Sequence, residues 1–404
     1  MKSPLFYSLP PAGQKIPVSA LMCLVNNTSA GKSVKPIEHF KRYLGCERLF
    51  YLSSGRSALW VALKAFSRLK PDRDEVIIPA YSCPSVVSAT LKAGLKPVLC
   101  DINLDDFGFL REELEKKVSP KTLAVIVAHL YGYPARIGEI QKICKEKSAY
   151  LVEDAAQAFG NTFPEDPDIK LGLGGDAGFF SFGRGKPLNI MHGGLLMTQS
   201  EDVYREANKI YEGLNGCTAY QEAAYRVSLG LYLLFSNPYL YWLPQLIPFL
   251  NLGGTVFEPD FATAKGLEPA ASLAAVMVDK IDEEKDIRRE NSRWYSDQLR
   301  EISPCERKAT GGYPYLRYPL LIRNSKKRTK ILDTLVSRGT GATGSYPSPL
   351  NELPGLNERL KDSTIYGNAK IMSESIITLP VHSRVTRRDR ENIVKITRQA
   401  MNEN

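Results

Sequence analysis

One lysine lies in a glycine-rich stretch, GFFSFGRGKPLNIMHGG at residues 178–194, and could take part in three kinds of chemistry. Lys186 could be a solvated surface charge, the phosphate-binding lysine of a nucleotide loop, or an amine held for covalent chemistry. A Walker-type nucleotide loop reads GxxxxGK followed by Ser or Thr, whose hydroxyl binds magnesium. Here the first glycine is replaced by Phe180, and Pro187 follows the lysine. These two differences exclude the Walker interpretation.

Three features of the sequence together favour the covalent amine. The stretch SSGRSAL at 53–59 places small residues and backbone N–H groups at a predicted helix start, which is how proteins bind phosphate. Asp154 ends an apolar strand, where a buried carboxylate needs a cationic or hydrogen-bonding partner. Lys186 follows another strand, and a lysine in a partly apolar pocket loses proton affinity and becomes a nucleophile for aldehydes. A phosphate anchor, a pyridinium counter-ion and an amine are what pyridoxal phosphate requires.

Each of these features alone also has a structural interpretation. SSGRSAL resembles many helix caps, and a structural cap explains Asp154 as well as a counter-ion does. The stretch 172–177 fits the dinucleotide pattern GxGxxA, but a predicted strand follows it where that pattern requires a helix. We therefore interpret that match as accidental, and the functional prediction depends on the order and combination of the three features.

Composition narrows the class of protein further. The chain has 404 residues, a formal net charge of +9, and basic residues dispersed along it, which favours anionic small molecules but matches no nucleic-acid-binding motif. Its seven cysteines lack a CxxC pair and its four histidines lack an HExxH spacing, so we expect reduced thiols and no metal site. The N-terminus has no signal-peptide pattern. These observations predict a cytoplasmic protein with small-molecule partners and no nucleic acid.

From about residue 37, short apolar strands alternate with helices of ten or more residues. The predicted strands are 75–80, 96–102, 122–130, 149–155, 177–182 and 193–198, and the predicted helices are 53–66, 85–94, 110–118, 137–147 and 198–213. Strands that are apolar throughout indicate a parallel sheet covered on both faces by helices. In such sheets the functional residues collect where the strand C-termini meet loops.

From about residue 261 the pattern changes to a second unit with both helices and strands. It predicts a long helix over 267–300, a strand over 314–322, a helix over 326–338, a loop over 339–357 and a last helix near 386–402. Between the two parts, residues 227–257 contain no charged side chain. Three prolines argue against a simple transmembrane helix there. The segment is either an apolar hairpin packed on its own protein or a subunit partner, or a surface in the membrane interface with Trp242 at headgroup level.

The motifs, taken in order, resemble the DegT/DnrJ/EryC1/StrS family of pyridoxal-phosphate-dependent sugar aminotransferases. They are LSSGRSALWVAL, DEVIIPAYSCPSVVSATLKAGLKPVLCDIN, VAHLYGYPA, LVEDAAQAFG, GDAGFFSFGRGK, GGLLMT, LEPAASLAAVMVDKIDEEKDIRRENSRWY and ITLPVHSRVT. The resemblance implies an α/β, fold type I transferase with a mostly parallel seven-stranded sheet and a smaller α+β C-terminal domain. The predicted division is an N-terminal extension at 1–36, a large cofactor-binding domain at 37–265 with an insertion at about 214–260, and a small domain at 266–404.

The resemblance also implies roles for individual residues. Lys186 would attach to the aldehyde of pyridoxal 5′-phosphate and act as the catalytic base and acid. Asp154 would pair with the pyridine nitrogen, and Gln157 would lie near the ring and its phenolic oxygen. Tyr81 would contact the ring face, with Cys83 as the alternative.

The phosphate site implied by the resemblance combines two segments that are far apart in sequence. Ser181, five residues before the lysine, would bind the phosphate together with Gly55 and the N–H groups of Arg56 and Ser57. The family often has Gly-Thr where this chain has Gly55-Arg56. That departure leaves the cofactor chemistry unchanged.

Other departures fall after the lysine. The family often has Asn where this chain has Pro187, and GEGG where this chain has Met-His-Gly-Gly at 191–194. Arg184 and His192 are therefore candidates for recognising substrate charge, or else a surface arginine and a capped histidine. His129 resembles the histidine of the family's HLYG motif, and we interpret it as a packed residue at a strand end.

The implied function is transfer of an amino group from an amino acid, glutamate in most of the family, to a keto-sugar. We expect the sugar to be nucleotide-activated and to serve polysaccharide or glycoconjugate biosynthesis. The alternatives are a sugar deoxygenase or dehydratase of the same family, and a catalytically silent scaffold. We also expect a homodimer with shared active sites, and possible contact of 227–252 with the inner face of a membrane.

Overall fold

The structure is a computed structural model that describes residues 6–25, 35–246, 254–302 and 312–402. Its strands are β1 Leu49–Leu52, β2 Glu75–Pro79, β3 Lys96–Cys100, β4 Thr122–Ala128, β5 Tyr150–Asp154, β6 Thr162–Phe163, β7 Asp166–Lys170, β8 Ala177–Ser181, β9 Gly194–Met197, β10 Arg317–Leu321 and β11 Ile376–Pro380. Seven of them form the central sheet in the order β1-β9-β8-β5-β4-β2-β3. Six of the seven strands run in the same direction, and β9, between β1 and β8, runs in the opposite direction. The predicted mostly parallel, seven-stranded α/β fold is confirmed.

Helices cover the sheet and form most of the C-terminal part. They are α1 Val18–Val25, α2 Pro36–Leu44, α3 Gly55–Leu69, α4 Pro84–Lys92, α5 Arg111–Lys117, α6 Ile137–Glu146, α7 Glu201–Glu212, α8 Ala219–Phe235, α9 Trp242–Gln245, α10 Glu268–Val278, α11 Ile281–Leu299, α12 Ser325–Ser337, α13 Asn357–Leu360, α14 Gly367–Ser375 and α15 Arg387–Asn402. Every residue of β4 is buried, because helices lie on both sides of the sheet. Burial on both faces of the sheet explains why the strand sequences are continuous apolar runs.

The sequence pattern missed β1, which lies at one edge of the sheet. Its four residues, LFYL, directly precede the turn residues that start α3, so no alternation marks the strand. It pairs antiparallel with β9, from Leu49 opposite Met197 to Leu52 opposite Gly194. This pairing brings the start of α3 beside the end of β8.

The single helix predicted over 267–300 is wrong, because the chain forms α10 and α11 with a break at Asp279 and Lys280. α10 is apolar and largely buried. α11 opens with acidic residues in its first turn, Asp282, Glu283 and Glu284. Acidic side chains stabilise the N-terminal end of a helix dipole, so this cluster indicates a new helix start.

The C-terminal part packs directly on the sheet part. β10 and β11 pair antiparallel, and their buried residues belong to one hydrophobic cluster with those of β4 and α3. After β4, Tyr133 stacks on Tyr315 with ring centroids 5.8 Å apart and meets Tyr313 edge-on at 5.4 Å. These tyrosines join the two parts through an aromatic contact. The residue boundaries predicted for the domains stay a prediction.

Part of the uncharged segment 227–257 lies in α8 and α9, and residues 247–253 lie outside the described residues. α8 packs one face on the protein through Tyr225 and Leu229. In the described parts of the chain, none of the helices combines the length and the apolar character that crossing a bilayer requires.

Gly178 in β8 is required by a close backbone approach. A Cβ at this position would overlap the carbonyl group of Gly172, which belongs to the loop preceding β8. By contrast, a Cβ on Gly138, in the first turn of α6, would meet open space. The two glycines therefore form a matched pair for substitution.

We expect Gly178→Ala to lower the free energy of unfolding by about 1–3 kcal/mol, because the backbone must shift to admit the methyl group. Gly138→Ala should be neutral or stabilise by up to about 1 kcal/mol, since alanine favours helix. Urea denaturation followed by circular dichroism measures both changes. Equal losses in the two variants would contradict the packing argument.

Candidate active site

The carboxyl ends of five parallel strands, with the loops that follow them, bring the candidate residues to one edge of the sheet. β5 ends at Asp154, β8 ends at Ser181, and α3 begins at Gly55 just after β1. Tyr81 follows β2, and Tyr131 follows β4. This edge is where parallel sheets collect functional groups.

The start of α3 approaches the end of β8 very closely. A Cβ at Gly55 would lie 2.8 Å from the Cβ of Ser181, a separation that real side chains do not adopt. Ser54 caps the helix, because its Oγ accepts the N–H of Ser57 at 3.2 Å. The positive end of a fifteen-residue helix thus faces Ser181, an arrangement that suits a phosphate group.

The predicted phosphate residues differ in what their side chains do. The Ser57 hydroxyl is buried and donates to the carbonyl of Ala262 at 3.0 Å. The Arg56 guanidinium pairs with Glu258 at 2.6 Å and lies 5.1 Å from the ring centroid of Phe261. Both side chains are therefore held by the segment preceding α10. The backbone of the first turn of α3, with Ser181, is left to bind an anion.

Asp154 and Lys186 form the charged pair of the site. Asp154 Oδ1 accepts the N–H of Ala156 at 3.1 Å. Burial raises the pKa of the Asp154 carboxyl, and the nearby Lys186 ammonium opposes that rise. Lys186 is half-buried in the loop after β8. A desolvated carboxylate near a cation can stabilise a further positive charge.

Gln157 is held by the protein at both ends of its amide. Its Oε1 accepts the N–H of Tyr131 at 2.9 Å, and its Nε2 donates to the hydroxyl of Tyr346 at 3.1 Å. The ring of Tyr81, which is fully buried, meets Tyr346 edge-on with centroids 5.4 Å apart. Cys83, at the position before α4, accepts the hydroxyl of Ser85 at 2.9 Å. These contacts form one wall beside Asp154.

Tyr346 is a site residue that sequence reasoning missed. It comes from the loop after α12 in the C-terminal part. Burial is the main cause that raises the pKa of its phenol, and the negative charge of Asp154 contributes. Its neighbour Ser345 has a positive φ of 58° and accepts the hydroxyl of Tyr131 at 3.0 Å. Tyr131 itself has a φ of 59°. Two strained residues in contact indicate a functional region. The long loop predicted at 339–357 was the sequence feature that could have pointed to Tyr346, because loops often carry functional residues.

The two residues proposed for substrate charge lie in different surroundings. Arg184 is exposed, and its charge acts on the phenols of Tyr232 and Tyr241, opposing the rise in pKa that burial causes. His192 accepts the N–H of Leu267 through Nε2 at 3.3 Å. Burial lowers the pKa of His192 to about 4, so its ring is neutral at pH 7. Of these two residues, Arg184 is the one that carries a positive charge a substrate could meet.

A buried carboxylate behind the site explains the accidental GxGxxA match. Glu153 accepts the N–H groups of Gly172, Gly174 and Gly175 at 3.0, 2.6 and 2.7 Å. The glycine-rich stretch therefore binds an anion of its own chain. Its resemblance to a nucleotide-binding loop has a structural cause.

His129 completes this network. Its Nε2 lies 2.8 Å from Glu153 Oε2, and its Nδ1 accepts the N–H of Ala135 at 3.1 Å. Because Nδ1 is an acceptor, the ring proton lies on Nε2 and is donated to Glu153. His129 is buried, as expected for a packed residue at a strand end.

This mostly parallel seven-stranded sheet, with helices on both faces and a smaller C-terminal part, is the fold of the fold type I pyridoxal-phosphate-dependent transferases. A model of the DegT/DnrJ/EryC1/StrS aminotransferase family matches residues 21–235 and 263–398. The chain belongs to this family. The region between the matched parts, 236–262, includes α9 and most of the uncharged segment.

Several known proteins are similar to the chain. The uncharacterised protein MJ1066 of Methanocaldococcus jannaschii is 27% identical over 385 residues, which cover 93% of this chain and 92% of that protein. GDP-perosamine synthase of Vibrio cholerae is 30% identical over 177 residues, 44% of this chain and 47% of that enzyme. The structure of Helicobacter pylori PseC, an aminotransferase involved in the biosynthesis of pseudoaminic acid, aligns with a TM-score of 0.75 over 98% of each chain at 19% identity.

His192 should make stability depend on pH. The unfolded chain takes up this proton near pH 6.5 and the folded chain only near pH 4, so stability falls as pH drops through that window. In His192→Gln, the loss in unfolding free energy between pH 7 and pH 5 should be smaller by about 1–2 kcal/mol. Urea denaturation at the two pH values measures this difference. An unchanged loss in the variant would show that His192 does not titrate as its burial requires.

Proposed function

We propose that the protein is a pyridoxal-phosphate-dependent aminotransferase that moves an amino group from an amino acid, glutamate, to a nucleotide-activated keto-sugar. The observation that carries this proposal is the placement of Lys186 and Asp154 at the same sheet edge as the close approach of Gly55 to Ser181. An amine, a carboxylate and a phosphate cradle are the three groups that this cofactor needs. Family membership supports the reaction class.

The residues at this edge fit the cofactor. The first turn of α3 and Ser181 would hold the phosphate, because only a glycine at position 55 leaves room between them. Asp154 would hold a proton on the pyridine nitrogen, and the wall formed by Tyr81 and Gln157 would lie along the ring. When bound, pyridoxal phosphate supplies an aldehyde for the amine and a ring that withdraws electrons from the substrate's Cα.

Asp154 has a physical reason to bind a cation beyond Lys186. Burial raises the pKa of its carboxyl, so its ionised form is costly unless positive charge lies nearby. Asp154 would therefore bind a protonated ring nitrogen of the cofactor and would stabilise its positive charge.

Lys186 is the group in position to move the substrate's Cα proton. It follows Gly185, which has a φ of 74° and open space where a Cβ would lie. Its amine would bind the cofactor's aldehyde at rest. When free, the same amine would act as the general base that takes the substrate's Cα proton.

Similarity to sugar enzymes supports the acceptor class. GDP-perosamine synthase and PseC bear names that refer to amino sugars or their biosynthesis. The exposed cation Arg184, two residues before the lysine, suits the negative charge of a nucleotide diphosphate. The homodimer with shared active sites that the resemblance implies is part of this proposal.

Lys186→Ala should remove the covalent link to the cofactor. After incubation with pyridoxal phosphate and gel filtration, the purified protein should show an absorbance band near ~420 nm, and the variant should lack it. Lys142→Ala, which changes an exposed lysine, should keep the band. A band that persists in Lys186→Ala would contradict the assignment of the amine.

Asp154→Asn tests the role of the carboxylate separately. The variant should still attach the cofactor through Lys186, which borohydride reduction and peptide mass spectrometry detect. Its amino transfer from glutamate should fall by about a hundredfold or more, because a charge aimed at the reacting group is lost. Asp168→Asn, an exposed site, should leave the rate unchanged. Water loss from a keto-sugar without amino gain would instead support the dehydratase alternative.

A further inference from the structure

One surface of the protein is apolar and takes no part in the site described above. We define the apolar patch as the six exposed side chains Tyr220, Val227, Leu231, Leu234, Tyr239 and Leu246, which are 52% to 82% exposed. The first four recur along α8 at the spacing of a single helix face, opposite the buried Tyr225 and Leu229. No charged side chain occurs in 227–257.

The edge of the apolar patch is aromatic, and the indole N–H beside it is already bonded. Trp242 donates its Nε1–H to the carbonyl of Tyr239 at 2.8 Å. The ring of Phe6, 71% exposed, meets Trp242 edge-on at 5.7 Å. Because the indole N–H has a partner within the protein, this edge can enter an apolar medium without leaving that donor unsatisfied. Aromatic rings with one polar end are favoured at the bilayer interface.

A cationic cavity lies next to the apolar patch and shares Tyr239 with it. The cavity has a volume of about 800 Å³, and the exposed side chains of Arg338, Arg388 and Lys395 line it. Within the described residues, none of these three cations forms an ion pair. Three unpaired cations beside an apolar surface complement anionic lipid headgroups.

The acidic side chains of the same cavity are engaged by their own neighbours. Asp389 accepts the hydroxyl of Tyr7 at 3.0 Å and the N–H of Thr386 at 2.9 Å. Glu391 pairs with Arg387 at 2.8 Å. The lining of the cavity therefore carries a net positive charge.

We propose that the apolar patch and the cationic cavity dock the protein on the surface of an anionic lipid bilayer. The apolar side chains would enter the boundary between headgroups and acyl chains, with α8 lying along it, and the three cations would bind headgroup phosphates. The docked segment lies near the loop that carries Arg184, because the charge of Arg184 acts on the Tyr241 phenol. This inference goes beyond the proposed reaction and does not require it.

Sedimentation with vesicles tests the apolar patch. The full chain should co-sediment with vesicles of phosphatidylcholine and phosphatidylglycerol, and much less with phosphatidylcholine alone. Leu231→Asn combined with Leu234→Asn should weaken binding by about tenfold or more, since each change removes buried apolar area. Ile365→Asn combined with Ile371→Asn, which are exposed elsewhere, should bind like the unchanged protein.

The cationic cavity has its own variant and control. The cavity variant combines Arg338→Gln, Arg388→Gln and Lys395→Gln. Each substitution should weaken binding to anionic vesicles by about fivefold, because each cation adds about 1 kcal/mol near such a surface. Lys142→Gln, Lys145→Gln and Lys326→Gln remove the same charge from other exposed sites and should have little effect.

Three results would overturn the proposal. The first is absence of binding to anionic vesicles, and the second is equal loss of binding in variants and controls. The third is a patch variant that binds vesicles normally but changes from dimer to monomer in light scattering, which would show that the patch joins two copies of the chain. Neither measurement uses an amino donor or acceptor. Failure here is therefore distinguishable from failure of the proposed reaction, which the absorbance band tests.

Discussion

The buried carboxylate of Glu153 is the interaction on which the candidate active site depends. It ties the loop before β8 and the histidine after β4 to β5, so the carboxyl ends of β4 and β5 are joined to the amino end of β8. Successive residues of a strand point to opposite faces, so fixing Glu153 on one side fixes Asp154 on the other. A buried charge with four hydrogen-bond donors is stable, whereas one left unpaired would be costly.

Much of the fold and part of the site could be predicted from the sequence, because both depend on local patterns. Apolar strands between helices identified six of the seven sheet strands, and Lys186 with Asp154 followed from their positions at strand ends. The contacts that escaped prediction join distant parts of the chain. Gln157 and Tyr346 are 189 positions apart, and no periodicity relates them. The break between α10 and α11 was missed for a different reason. The acidic residues that mark the start of α11 are local in sequence, but they lie within a continuous helical pattern.

Burial decides which ionisable groups of this region can act as charges. The same desolvation that makes Asp154 favour a cationic partner keeps His192 neutral, because burial disfavours the charged form of each group. Sequence alone does not show how far each side chain is buried, because burial depends on parts of the chain that are distant in sequence. Arg184, exposed beside the loop, is the member of the group that keeps its charge in water.

The tyrosine contact between the sheet part and the C-terminal part limits how this protein can be divided. Tyr133 stacks on Tyr315, and the buried residues on both sides belong to one cluster. A fragment ending before residue 312 would leave the aromatic face of Tyr133 in water and would lose Tyr346 from the wall beside Asp154. Expression of the cofactor-binding half alone would therefore yield a protein that aggregates, however complete its catalytic motifs appear.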